Sequence, residues 1–168
     1  MISQEAFENL KNHLDKVKKK LVGEWVKTAK YEEGFASAIG AKTEKSRYWD
    51  CVWQNVHLEL KKSKSGLFWL DLVRYSEYLL KKNSDSQEPV ITLFMIYHDQ
   101  VITDIFATTT DTIIQKINLL ENSAKDLLRI NKEVLRSLNA QACLTKADTE
   151  DIATFRISTK PPKTYEVM

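Results

Sequence analysis

Apolar residues along the chain follow two different periods, and the switches between them predict the elements. Phe7, Leu10, Leu14, Val17 and Leu21 recur at every third or fourth position. That spacing predicts an amphipathic helix that starts at Ser3 and stops by Gly23. Trp25, Ala29, Phe35 and Ala36 extend the helical reading over 24–37, and a polar stretch follows at 41–46. The period then falls to two. Trp49, Cys51 and Trp53 alternate with Asp50, Val52 and Gln54, and Val56, Leu58 and Leu60 alternate with His57, Glu59 and Lys61. Two strands in a hairpin account for this pattern. Residues 67–82 return to a helical spacing. Residues 90–97 and 101–107 are β-branched and aromatic around His98-Asp99-Gln100, which predicts a second hairpin. Thr109, Thr110 and Asp111 cap a long helical tract to about residue 138, with a break placed at Asn122-Ser123. Residues 141–149 read as loop and 152–158 as a last strand.

The resulting order, α-α-β-β-α-β-β-α with a terminal strand, predicts an α/β fold with a mixed central sheet flanked by helices. The length of 168 residues suits one domain, with a helical part at 1–46, a core at 47–107 and a helical C-terminal part at 108–168. No apolar run approaches the roughly 20 residues of a membrane span, and no basic segment precedes an apolar one at the N-terminus. Two cysteines make no disulfide framework. Together these features predict a cytoplasmic protein with free thiols.

Charge changes the picture locally. Lys and Arg number 25 against 23 Asp and Glu, a net charge of only +2, which excludes a wholesale basic coat. Between Lys42 and Lys64, however, six basic residues face three acidic ones. Such a cluster suits phosphate contacts.

The candidate chemistry sits inside this cluster. Residues two apart on a strand share a face, so Glu59 and Lys61 project together, about 7 Å apart along the backbone. Asp50 lies on the neighbouring strand of the hairpin. Two carboxylates on one face repel unless a cation lies between them, and Mg²⁺ is commonly held by one or two carboxylates plus water and phosphate. Lys61 beside such an ion has a task in phosphodiester hydrolysis, orienting or deprotonating the attacking water. Asp50, Glu59 and Lys61 are therefore the candidate catalytic residues, Asp50 and Glu59 the candidate metal ligands. Lys62, Lys64 and His57 are the candidate DNA contacts. Glu32 or Glu33 offers a further carboxylate or merely an acidic helix end. Arg74, Tyr75 and Tyr78 suit DNA contacts, and the two tyrosines equally suit a core position. No paired-cysteine or clustered-histidine metal set and no glycine-rich phosphate loop is present, and Cys51 alternates with tryptophans on an apolar face, unlike a nucleophile.

Asp50, eight residues, then Glu59-Leu60-Lys61 resembles the D…(D/E)xK motif of the PD-(D/E)xK nucleases, without the proline of the family name. The segment from Arg47 to Ala107 is most similar to PvuII-type type II restriction endonucleases. No three-histidine recognition segment of that type follows the motif. The resemblance implies a restriction-endonuclease-like fold, a Mg²⁺ cofactor replaceable by Mn²⁺, double-stranded DNA as substrate, and a homodimer that cuts both strands. A structure-specific, repair or homing nuclease of the same fold is the nearer alternative. A non-catalytic helical and β protein-binding module is the more distant one.

Overall fold

A computed structural model describes residues 2–84, 88–130 and 140–159. Helix α1 (Gln4–Val17) starts where expected, with the Ser3 side chain accepting from the Ala6 N–H. The single helix expected over 24–37 is instead two pieces. A 3₁₀ turn covers Glu24–Lys27, Thr28 is extended, and α2 runs over Tyr31–Ile39. Gly34 on α2 faces Trp25, and a Cβ built there would come within 2.5 Å of the indole. The helix thus lies so close to the preceding turn that glycine is the residue that fits.

The strands expected from period two are β2 (Cys51–Trp53) and β3 (Val56–Ser63), paired antiparallel with Cys51 opposite Leu58. Gln54 and Asn55, both at positive φ, form the tight turn between them. The polar stretch before them contributes a two-residue edge strand, β1 (Lys42–Thr43), paired with β2. The second expected hairpin is β5 (Val90–His98) and β6 (Val101–Thr109), turning at Asp99 with φ 53°. Strand β3 pairs in parallel with β5. The last expected strand, β8 (Phe155–Ser158), pairs antiparallel with β6. The sheet is mixed and six-stranded, in the order β1-β2-β3-β5-β6-β8.

Two expectations fail because the deciding contacts are distant in sequence, and a third is displaced. Residues 67–82 are not one helix: Phe68–Asp71 is strand β4, and α3 (Leu72–Ser84) follows it. Residues 141–149 are not loop: β7 (Gln141–Leu144) pairs with β4 in a separate two-stranded sheet. A capping box between Thr145 and Asp148 then opens a short helix, which is α6 here (Lys146–Ile152). The long tract from residue 110 splits into α4 (Thr110–Lys116) and α5 (Glu121–Arg129). The break falls at Asn118, at φ 57°, while Asn122 and Ser123 lie inside α5. Val134 and Leu138 lie outside the described residues.

Both faces of the sheet are covered. On one face, Phe7, Leu10 and Leu14 of α1 and Phe35 and Ile39 of α2 pack on Leu58, Leu60, Ile91, Leu93 and Ile105. On the other, Tyr75 and Tyr78 of α3, Ile113 and Ile114 of α4, and Phe68 and Leu70 of β4 pack on Phe94 and Phe106. Tyr75 and Tyr78 are therefore core residues. No described helix is long and apolar enough to cross a membrane.

Because the sheet presents Leu60 to one core and Glu59 to the other, α2 and α3 approach β3 from opposite sides. Replacing Gly34 by Ala should push α2 off the Trp25 turn. Overpacking of this kind costs about 1–3 kcal/mol, more than the gain in helix propensity of roughly 1 kcal/mol. Thermal unfolding of Gly34→Ala should show a lower Tm than the parent. A rise would mean that the turn yields freely.

Candidate active site

Asp50 stands just ahead of β2, and its backbone N–H donates to Leu58 O at 2.8 Å. The β2–β3 pairing ends at Cys51–Leu58, so Asp50 shares Leu58 as its backbone neighbour with Cys51. Its side chain is fixed from β3 as well, since Oδ2 accepts the Leu60 N–H at 2.7 Å. This bond ties the carboxylate to the same three-residue stretch that carries Glu59 and Lys61. The three candidate residues therefore meet at one place on the sheet.

Glu59 is the most constrained of them. Its side chain is only 5% exposed. The Arg74 guanidinium, from the first turn of α3, is in contact with Oε1, and Lys61 Nζ lies 3.6 Å from the same oxygen. Oε1 thus has two cationic neighbours but no aligned hydrogen bond. Tyr75 Oη is also buried without a hydrogen bond. Glu59, Arg74 and Tyr75 line one cavity of about 10 Å³, at the lower limit of what a single water needs.

The surroundings shift the titration of these groups. Burial pushes the Asp50 carboxyl above its usual range, the Leu60 N–H partly offsets this, and Glu32 adds to it. Burial lowers the Lys61 ammonium, with Glu59 opposing and Arg74 assisting. The Tyr31 hydroxyl, which donates to Leu60 O at 2.9 Å, is pushed far up by burial and by the charges of Glu32, Asp50 and Glu59. Burial and Asp50 push the Cys51 thiol up to about 12, so it stays protonated at neutral pH, as expected for a core cysteine.

The other candidates separate. Glu32 is near enough to perturb Asp50, whereas Glu33 is exposed. His57 shares Glu59's strand face, but its ring packs edge-on against Trp49 at 4.4 Å and its Nδ1 lies 4.0 Å from Glu88. Lys62 projects to the opposite face from Lys61. Its Nζ donates to Val26 O at 2.7 Å and Thr28 O at 2.8 Å and stands over the rings of Tyr31 and Tyr97. It ties the turn ahead of α2 to β3. Lys64 is exposed. Arg47 is paired with Glu77 of α3.

Two residues of the cluster escaped the sequence reading in this role. Arg74 was weighed only as a DNA contact, and Tyr31 not at all. A buried glutamate implies a nearby cation, yet its position in sequence depends on how α3 docks.

The donor set fits a hard divalent ion. Among the described residues no three His, Cys, Asp or Glu side chains gather as a ligand set. Two carboxylates remain, Glu59 with its Oε1 already met by Arg74 and Lys61, and two is within the number that Mg²⁺ takes from a protein when water and phosphate complete its shell. Asp50 and Glu59 would hold it.

Ionising Asp50 in the fold costs stability at neutral pH, because its folded pKa lies above the unfolded value. That cost vanishes as the pH falls through the raised pKa. Asp50→Asn keeps an acceptor for the Leu60 N–H and removes the cost. Its Tm should exceed the parent's at pH 7 by a few degrees, at about 2–4 °C per kcal/mol for a chain of this size, and the gap should close toward pH 4. A gain that grew with acidity would contradict this origin. Lys61→Met should lower Tm at pH 7 in the same calorimetric series, because it leaves the buried Glu59 with Arg74 as its remaining close cation. An unchanged or raised Tm would mean that burial costs the ammonium more than Glu59 returns.

Comparison with protein families and with curated proteins finds no match to either, so the site is read from its own geometry.

Proposed function

We propose that the protein is a Mg²⁺-dependent endonuclease with a restriction-endonuclease-like fold, acting on double-stranded DNA. The observation that carries this is the convergence of Asp50, Glu59 and a desolvated Lys61 on one stretch of β3, with Asp50 clamped to the backbone between the other two. The cluster holds two acids and two bases, and burial of Asp50 within it outweighs the help of Arg74 and Lys61, a cost to stability that is expected where function set the residues.

Each side chain has a task. The Leu60 N–H holds one oxygen of Asp50 and so fixes the carboxylate's orientation. Glu59, held by Arg74 and Lys61, is positioned before substrate arrives. When bound, the ion supplies Lewis-acid polarisation of the phosphoryl oxygen and a more acidic water. Lys61, its ammonium lowered by burial, would take a proton from the attacking water and return positive charge to the phosphate as negative charge develops. Arg74 adds a second fixed positive charge within the same cluster. Cutting both strands of a duplex requires two such sites, so the active species is proposed to be a homodimer. Mn²⁺ should replace Mg²⁺.

Digestion of supercoiled plasmids of varied sequence tests this. With Mg²⁺ or Mn²⁺ the protein should produce linear DNA. Lys61→Ala should reduce the rate by about 10²–10⁴-fold, the range for loss of a general acid–base group, and Glu59→Ala should abolish cleavage. Intact plasmid at excess protein, or cleavage that survives Lys61→Ala, would sink the assignment.

A further inference from the structure

Three of the four tryptophans are engaged by the fold. Trp25 packs against Gly34, Trp49 donates to Glu44 and meets the His57 ring, and Trp53 stacks on His13 with ring centroids 4.6 Å apart. Trp69 is different. It is 59% exposed, and no ring contact or side-chain hydrogen bond engages it among the described residues. The strand holds it outward, because Phe68 and Leu70 on either side are buried in the core. Leu67, 45% exposed, adjoins it.

Trp69 and Leu67 form one wall of a groove of about 300 Å³, and Tyr31, Lys61 and Lys62 line the rest. This volume is at the small end of ligand sites, which span roughly 300–1,000 Å³. The groove is continuous with the candidate active site through Lys61 itself. Its lining is aromatic and apolar around the stems of Lys61 and Lys62, whose ammonium groups lie at Glu59 and at the Val26 and Thr28 carbonyls, and Lys64 is exposed on the following turn. A polyanion with flat π faces matches both features, as in sites that bind unpaired nucleic acid.

We propose that this groove takes one nucleobase unstacked from the DNA strand held at the active site, with Trp69 as the stacking platform. The inference rests on the nuclease reading and adds a substrate class to it: DNA whose target strand is unpaired, or readily unpaired, beside the cut. Extruding a base is least costly where it has no partner. The preference should therefore be visible in binding without any cleavage.

The test is fluorescence anisotropy with labelled oligonucleotides, in Ca²⁺ to avoid turnover. The probes are a duplex, the same duplex with one bulged nucleotide, and the single strand. Wild type should bind the bulged and single-stranded probes at least about tenfold tighter than the plain duplex, within the range for one base–aromatic stack. Trp69→Ala should erase that preference and leave duplex binding within about twofold, whereas Trp69→Phe should retain most of it. Because the side chain is exposed, Trp69→Ala should unfold at the parent's temperature. Equal binding of all probes, a preference that survives Trp69→Ala, or no DNA binding at all would overturn the proposal. So would a loss of self-association in Trp69→Ala without a change in DNA binding, which would give the groove to a second copy of the chain. The two readings fail separately. Trp69-dependent bulge binding without cleavage in Mg²⁺ would leave the groove and remove the nuclease. Lys61-dependent cleavage indifferent to Trp69 would do the reverse.

Discussion

A carboxylate that is 5% exposed must be compensated, and the compensation of Glu59 organises this molecule. Its charge is met by Arg74 from one helix and by Lys61 from its own strand. Removing either partner of such a pair is costly, yet a well-packed apolar substitute for the whole cluster is often neutral or stabilising. The cluster is therefore poorly explained as a device for stability. Asp50 sharpens the point, since it adds a second desolvated acid that the fold would be more stable without.

The architecture around Glu59 follows from holding it there. Strand β3 pairs antiparallel with β2 over Val56–Leu58 and parallel with β5 over His57–Ser63, and past the end of β2 the Leu60 N–H and C=O are taken by Asp50 and Tyr31. This rigidity fixes the directions of Glu59 and Lys61 on one face and Leu60 on the other. Helix α3 follows β4 directly and brings Arg74 in its first turn. Helix α2 reaches the same strand from the opposite side, where Tyr31 bonds Leu60 O and Lys62 bonds the carbonyls of Val26 and Thr28. Adjacent lysines thus have unlike environments: Lys61 faces the acids, while Lys62 anchors a turn.

The parts legible in the sequence are those fixed by neighbours along the chain. The β2–β3 and β5–β6 hairpins are visible because alternation and a short turn are local signals. Glu59 and Lys61 share a face for the same reason, since the strand pleat places them, and Asp50, just ahead of the hairpin, joins them through its bond to the Leu60 N–H. Strands β4 and β7 are not legible, because each is four residues long and its only strand partner among the described residues is the other, far along the chain. Arg74 and Tyr31 are invisible as site residues because helix docking, not helix formation, brings them to β3. Trp69 is misread with its segment: in a helix its outward direction would have had no relation to Lys61.

The central claim is that Asp50 and Glu59 together hold a divalent cation. Calorimetric titration of the protein with Mn²⁺ in the absence of DNA tests it most directly. Wild type should bind Mn²⁺, and Asp50→Asn and Glu59→Gln, folded by the same thermal criterion, should each lose that binding. An absence of binding in wild type, or binding unchanged in both variants, would leave the cluster as a buried ion-pair network and contradict the account.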